Sequence, residues 1–198
     1  MTTLMKPLLV REELLKRKVR IFTVMEFSRI FQTPSYTTKY FLEKETDHGL
    51  LTRLKKGLYA LKTDYPCEEE IANALYQPSY LSFEYALAYY NILPEVPYRV
   101  TSATSKPTRI FTINNIIFAY YTIKTKAYAG YSLMKTSTKS FLIADREKAL
   151  VDYLYFESLG KRPHNDRLIL KNIDKSKLIK YAESFKRGSL VKLVKKIL

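Results

Sequence analysis

The chain has no tryptophan, one cysteine, two histidines, five glycines and eight prolines in 198 residues. Each scarcity removes a class of answer. A lone thiol, Cys67, cannot cross-link a fold and fits a reducing compartment. His48 and His164 stand far apart in the sequence, and with a single cysteine no metal-ligand spacing is present, so no metal is expected. So little glycine and proline, beside 46% hydrophobic residues, excludes a low-complexity or disordered composition. No apolar run approaches the roughly 20 residues that span a bilayer. Residues 1–7 lead at once into Arg11, Glu12 and Glu13, which leaves no signal-peptide core. The expectation is a soluble cytoplasmic protein, away from membranes, with enough chain for one medium or two small domains.

Positive charge is abundant: 34 Lys and Arg against 19 Asp and Glu give a net charge of +15. Its distribution along the chain is uneven. Residues 1–64 carry +6, residues 65–157 carry zero and residues 158–198 carry +9. Two basic ends around a neutral middle read as surfaces for a polyanion, against the plainer reading of solvated lysine-rich helices.

The strongest local pattern lies at residues 22–31. Thr23 and Glu26 have the spacing of a capping box, and Phe22 and Phe27 that of the hydrophobic staple over it. Val24, Phe27, Ile30 and Phe31 recur at helical intervals and form one buried face. Upstream, Leu8, Leu14, Leu15 and Val19 predict an earlier amphipathic helix with Arg11, Lys16, Arg17 and Lys18 outward. Downstream, Thr33 followed by Pro34 reads as an N-cap with proline in the first turn of a helix that runs to about Gly49. Phe41 and Leu42 supply its buried side, while Ser35, Tyr36 and Lys39 fall on the other. Two short helices so closely joined match a helix-turn-helix, whose second helix offers its N-terminal residues to the major groove of duplex DNA. Residues 50–54 and 58–61 alternate about Lys55, Lys56 and Gly57, which predicts a hairpin with a basic tip. The resulting expectation is a winged helix-turn-helix over residues 1–64. The competing reading is a structural three-helix unit with an incidental hairpin.

Residues 63–66 break the pattern and open a linker, and Glu68, Glu69 and Glu70 start a helix through Leu75, where acidic side chains suit the helix dipole. An aromatic helix over residues 83–90 follows, its tyrosines expected to pack a core rather than stack on bases. Residues 98–123 read as strands, with Asn114 and Asn115 as a two-residue turn, and residues 140–143 as a further strand. Asp145 is placed to cap a helix that buries Ala149, Leu150, Tyr153 and Leu154. Asp174 caps another, which Gly188 ends, and Ser189 caps a last one with Lys192, Lys195 and Lys196 on its polar side. These lysines are either flanking DNA contacts or the solvated face. The fold class expected is α+β: the N-terminal winged helix-turn-helix, then a mixed α/β domain over residues 65–198 ending in basic helices.

No catalytic pattern emerges. There is no glycine-rich phosphate loop, no Cys/His pair and no paired-carboxylate motif. The best acidic group, Asp145, Glu147 and Asp152, has its first two members two residues apart and so pointing away from one another on a helix. The chain is expected not to be an enzyme and to need no cofactor.

Three stretches in order carry a family resemblance: residues 51–61, residues 78–87 and residues 144–152. The first resembles the wing that closes the N-terminal domain of the AbiEi antitoxin family. The second resembles the helix that opens that family's second domain. The third is similar to its Glu-Lys-Ala-Leu helix, although Arg146 stands where that family often has proline. The likeness is collinear over residues 8 to about 185. It implies a type IV, abortive-infection antitoxin of phage defence that represses its own operon by binding promoter repeats. It also implies a second domain that counteracts a nucleotidyltransferase-like toxin, with no obligatory stable complex.

Carried onto this chain, the resemblance assigns DNA recognition to Ser35, Tyr36, Thr37 and Lys39 and the wing contact to Arg53, Lys55 and Lys56. Arg17, Lys18, Lys192, Lys195 and Lys196 are auxiliary candidates. Binding as pairs on inverted repeats is expected, with affinity from phosphate neutralisation and discrimination from base edges. The competing classes are a basic RNA- or ribosome-associated protein, an interaction protein that docks an acidic enzyme through its middle domain, and a cryptic nuclease.

Overall fold

Residues 5–198 are described by a computed structural model; residues 1–4, which open the stretch read for a signal peptide, lie outside it. The fold is α+β, with eight α-helices and two sheets among the described residues. It divides into two units, the first ending at Leu75 and the second spanning Tyr76–Leu198.

In the first unit, proline opens α1 (Pro7–Lys16), where its missing N–H leaves no bond unmade. Val10 and Leu14, four residues apart, take the core side. Leu8, expected on the apolar face, is 65% exposed because its position turns it away from that pair. Strand β1 (Ile21–Thr23) runs directly into α2 (Val24–Phe31) through the expected box: the Glu26 amide donates to Thr23 Oγ1 at 3.2 Å and the Thr23 amide to Glu26 Oε2 at 2.7 Å. The rings of Phe22 and Phe27 lie 5.3 Å apart over it.

Helix α3 (Ser35–Asp47) begins one residue later than expected, with Pro34 at the cap position. Thr33 does not cap it; its hydroxyl pairs with that of Thr38 at 2.8 Å. Strands β2 (Leu51–Lys55) and β3 (Leu58–Leu61) complete an antiparallel sheet of order β1-β3-β2. Gly57 supplies the φ of +80° that the tight connection requires.

The first unit extends past residue 64, the expected boundary, to include α4 (Glu68–Leu75). Arg20 ties this segment down, its guanidinium 2.9 Å from Asp64 Oδ2 and 3.3 Å from Glu70 Oε2. The Lys55 ammonium donates to the Leu75 carbonyl. The break in hydrophobic pattern at residues 63–66 is therefore a turn inside the unit rather than a linker between units.

The second unit opens with β4 (Ser79–Leu81), α5 (Phe83–Tyr89), β5 (Arg99–Thr104), β6 (Arg109–Ile113), β7 (Ile116–Thr122), β8 (Tyr131–Lys135) and β9 (Ser140–Ala144). The sheet order is β6-β7-β5-β4-β9-β8. Neighbours β6/β7, β4/β5 and β8/β9 are antiparallel, whereas β5/β7 and β4/β9 are parallel. Asn114 and Asn115 make the β6–β7 turn with φ of 48° and 65°, the pair of left-handed residues that a two-residue hairpin needs. Three helices follow, α6 (Arg146–Ser158), α7 (Lys175–Ser184) and α8 (Gly188–Ile197), with α7 and α8 packed on α6 and α6 on α5.

Several caps differ from expectation. Asp145 makes no capping bond; its carboxylate instead accepts from the Tyr181 hydroxyl at 2.7 Å and from Lys177 at 2.8 Å. Because Asp145 lies before the helix rather than on it, Lys177 also reaches Glu147 Oε2 at 3.5 Å, so the two carboxylates converge on one ammonium instead of diverging. Asp174 does cap α7, accepting from the Lys177 amide at 3.0 Å. Helix α8 starts at Gly188 with Arg187 at its cap, so Ser189 lies inside the helix.

Helix α6 is buried nearly all round rather than on one side, and it carries charge into the core. Lys148 and Asp152 are both 0% exposed and paired, one turn apart. Asp152 accepts two further hydrogen bonds, from Ser82 Oγ at 2.7 Å and Tyr80 Oη at 3.1 Å. Burial pushes the Asp152 carboxyl above its usual range, pulls Lys148 below its own and holds the Tyr80 phenol well above its ordinary value. Both Asp152 oxygens have hydrogen-bond donors, and the Lys148 ammonium, besides its bond to Asp152, lies 4.9 Å from the ring centre of Phe185 and 5.7 Å from that of Tyr80, contacts that help a charged pair to persist in a core.

Candidate nucleic-acid interface

The residues singled out in the sequence gather mainly on α3 and the β2–β3 hairpin of the first unit. Phe27 is the fulcrum that aims α3. Its ring lies 4.5 Å from that of Phe31 and 5.7 Å from that of Phe41, which locks α3 onto α2. Gln32 ends α2 in a left-handed conformation with φ of 49°, and the Ser28 hydroxyl donates to the Thr33 carbonyl at 2.6 Å. The turn between the helices is thus fixed by packing and by hydrogen bonds.

Given that orientation, α3 presents a polar stripe. Ser35 and Lys39 are exposed, and Tyr36 is 72% exposed. Tyr40, to which the sequence reading gave no role, is 69% exposed and four residues beyond Tyr36, so the two phenols share one face. That spacing was the signal available in the sequence. Thr37 belongs less to the stripe: it is half-buried, and its hydroxyl oxygen is buried without a hydrogen-bond partner. A cleft of about 800 Å³ between α1 and this turn is lined by Leu9, Lys16, Gln32, Tyr36 and Thr37 among others.

The hairpin divides the three residues assigned to it. Arg53 and Lys56 are exposed, Lys56 at the turn beside Gly57. Lys55 is half-buried, its ammonium held by the Leu75 carbonyl, so it anchors α4. The cause is a shift of register between Arg53 and Lys55, with Arg53 opposite Tyr59 and Lys55 opposite Leu58. Leu54 is buried at this irregularity, and the residue after it is turned toward α4.

Among the auxiliary candidates, Arg17 is bonded to Glu13 at 2.5 Å, while Lys18 is exposed with φ of 55°. Lys192, Lys195 and Lys196 are exposed on α8, opposite the buried Leu190 and Val194, and belong to the second unit.

Burial, then Glu69, pushes the Cys67 thiol up to about 12, so it remains protonated at neutral pH. Lys148, Asp152, Ser82 and Tyr80 combine chemistry-bearing groups, but all four are 0% exposed. Among the described residues no three His, Cys, Asp or Glu side chains form a group that could hold a metal ion, and no helix is long and apolar enough to cross a membrane. No family model matches this chain, and no curated protein matches it.

Proposed function

We propose that the chain is a duplex-DNA-binding repressor whose first unit is a winged helix-turn-helix. The observation that carries this reading is the order of elements α1-β1-α2-α3-β2-β3, closed by a β1-β3-β2 sheet, with a polar stripe on the third helix. That order belongs to modules that insert their third helix in the major groove and lay the β2–β3 hairpin along the neighbouring backbone. Ser35, Tyr36, Lys39 and Tyr40 read base edges, and Lys56 with Arg53 neutralises phosphates. Lys55 supports the hairpin from behind. Counterion release supplies most of the affinity, so binding weakens steeply with salt. Pairing of two copies on inverted repeats follows from the two-fold symmetry of such sites.

The biological setting proposed is that of an AbiEi-type antitoxin: repression of its own operon, together with neutralisation of a nucleotidyltransferase-like toxin by the second unit. The collinear resemblance at residues 51–61, 78–87 and 144–152 supports it. The third of those stretches holds Lys148 and Asp152, whose buried pair gives the Glu-Lys-Ala-Leu pattern a structural purpose.

The deciding experiment is a mobility-shift titration on the DNA upstream of this gene, beside a scrambled duplex and an RNA of equal length, at two salt concentrations. Preference for the upstream duplex that survives the higher salt is expected. Equal binding to all three that vanishes with salt refutes sequence reading by the first unit.

A further inference from the structure

The zero net charge of residues 65–157 conceals a segregation. Between Glu95 and Asp145 the chain has seven basic residues and no acidic one, and this acid-free stretch contains five of the six strands of the second unit's sheet. Strand directions then sort those cations. Strands β5 and β7 end where β4, β6 and β9 begin: Thr104 stands opposite both Ser79 and Thr122, and Arg109 opposite Tyr120. On the other side Lys135 ends β8 opposite Ser140, which starts β9. Lys106, Arg109, Lys124, Lys135 and Lys139 therefore all emerge at one end of the sheet. With strands about 4.8 Å apart, six strands make this rim about 24 Å long.

Six of the unit's acidic side chains have basic partners of their own, and the Lys124 ammonium is held by the Phe185 carbonyl. Glu84 pairs with Arg162, Glu95 with Arg167, Asp145 and Glu147 with Lys177, Asp152 with Lys148, and Glu157 with His164. The β6 end of the rim is also rigid. The Thr122 hydroxyl donates to the Lys106 carbonyl at 2.8 Å, the Lys106 amide to Thr104 Oγ1 at 3.1 Å and the Tyr76 hydroxyl to the Pro107 carbonyl at 3.1 Å. Lys106 and Arg109 are both exposed, yet the backbone that carries them is fixed, which lowers the entropy lost on binding.

The same end carries aromatic surface. The Arg109 guanidinium lies 5.2 Å from the ring centre of Phe111 and 5.9 Å from that of Tyr76, and the Lys106 ammonium lies 5.6 Å from Tyr76. Tyr76 packs edge-on against Tyr120 at 5.3 Å. A planar cation that lies over aromatic rings and is itself exposed offers a platform for an unpaired base. A duplex keeps its base faces stacked inside and cannot use such a platform.

We propose that this rim binds single-stranded nucleic acid, with Lys106, Lys135 and Lys139 along the phosphates and Arg109 stacking on a base. This activity is separate from duplex reading by the first unit. The test uses the full-length protein and fluorescence anisotropy with three probes: a 20-nucleotide oligouridine, an oligodeoxythymidine of the same length and the upstream duplex. The triple variant Lys106→Ala/Arg109→Ala/Lys135→Ala is expected to lose tenfold or more in affinity for a single strand. It should flatten the slope of log affinity against log salt by about 1.4, from about 0.7 for each of the two phosphate contacts removed. Duplex affinity should stay within twofold, whereas Lys39→Ala should show the converse.

Comparing the two single strands tells whether the 2′-hydroxyl contributes. Arg109→Lys keeps the charge at an exposed position and is expected to lower single-strand affinity several-fold through loss of the stacking plane alone. Single-strand affinity unchanged in the triple variant overturns the proposal. So does equal weakening on duplex and single strand, which would make the rim part of the duplex interface. Rim-dependent binding of polyglutamate with no binding of either single strand overturns it in favour of an acidic protein partner.

Discussion

Replacing Lys148 with Met puts the buried network of α6 to a quantitative test. Lys148 and Asp152 are both 0% exposed, and in the variant Asp152 retains Tyr80 and Ser82 as donors but loses its cation. Breaking a buried ion pair from one side costs about 3–5 kcal/mol, because the remaining charge is left in a low-dielectric interior. That cost depends on pH, and its sign is determined. Burial already holds the Asp152 carboxyl above its ordinary range, and removal of Lys148, which pulls it down, raises it further. The unfolded chain releases this proton at about pH 3.9, while the folded variant keeps it. The stability contributed by the neutral acid is therefore fully present below that pH and is lost as pH rises through the folded value, at up to about 1.4 kcal/mol per pH unit. The lowered Lys148 pKa of the native pair acts in the opposite direction, so the wild type is flatter. The deficit of Lys148→Met should be smallest near pH 5 and largest near pH 8. Hydrogen exchange of α6 amides, compared between variant and wild type across that range, reads the second unit alone. A deficit below about 1 kcal/mol near pH 8, within the range of an ordinary substitution, would refute the reasoning, as would one that does not change with pH.

The remaining expectations are briefer. Lys39→Ala should reduce discrimination between the upstream duplex and a scrambled one by about 1–3 kcal/mol in competition assays, whereas equal loss on both assigns Lys39 to phosphate. Lys56→Ala should lower the salt slope of duplex binding by about 0.9, while Lys55→Ala should leave that slope alone and destabilise the first unit by about 1 kcal/mol in urea titration. An equal change of slope in both variants would contradict the division of labour along the hairpin. Gly130→Ala should lower the melting temperature, because a Cβ there would sit 2.7 Å from the Tyr181 ring at a φ of +77°. An unchanged melting temperature would show that Tyr181 moves aside at little cost, although its hydroxyl bonds to Asp145.

What could be read in the sequence was what is decided locally. The box of Thr23 and Glu26 and the staple of Phe22 and Phe27 involve residues three to five apart, and the structure forms both as spaced. The Asn114–Asn115 turn was legible for the same reason. Features decided by distant partners were not. Strand β4 is three residues long and wholly buried, so it has no alternation to recognise; β5 and β9 on either side define it. Lys148 and Asp152 have the spacing of a common surface pair, and only the burial of α6 on all sides makes them a core network. At the candidate site, exposure of Ser35, Tyr36 and Lys39 followed from helical periodicity. The capture of Lys55 by Leu75 depended on a shift of register and on a helix 13 residues away, and neither is visible along the chain. Segment charge misled in a similar way, since a net count of zero concealed a strongly basic sheet between two acidic flanks.

Strand β4 has one more consequence. Its three residues join β5, β7 and β6 on one side to β9 and β8 on the other, and its parallel register with β9 rests on Leu81 opposite Ile143. The larger half, β5 to β7, assembles from segments close together in sequence, whereas the smaller half waits for a contact across some sixty residues. Closing so long a loop is slow relative to forming a hairpin. The sheet's two ribbons are therefore expected to nucleate separately and to join late, and the amides of residues 79–81 should be among the slowest in the molecule to exchange, because freeing them means parting the sheet.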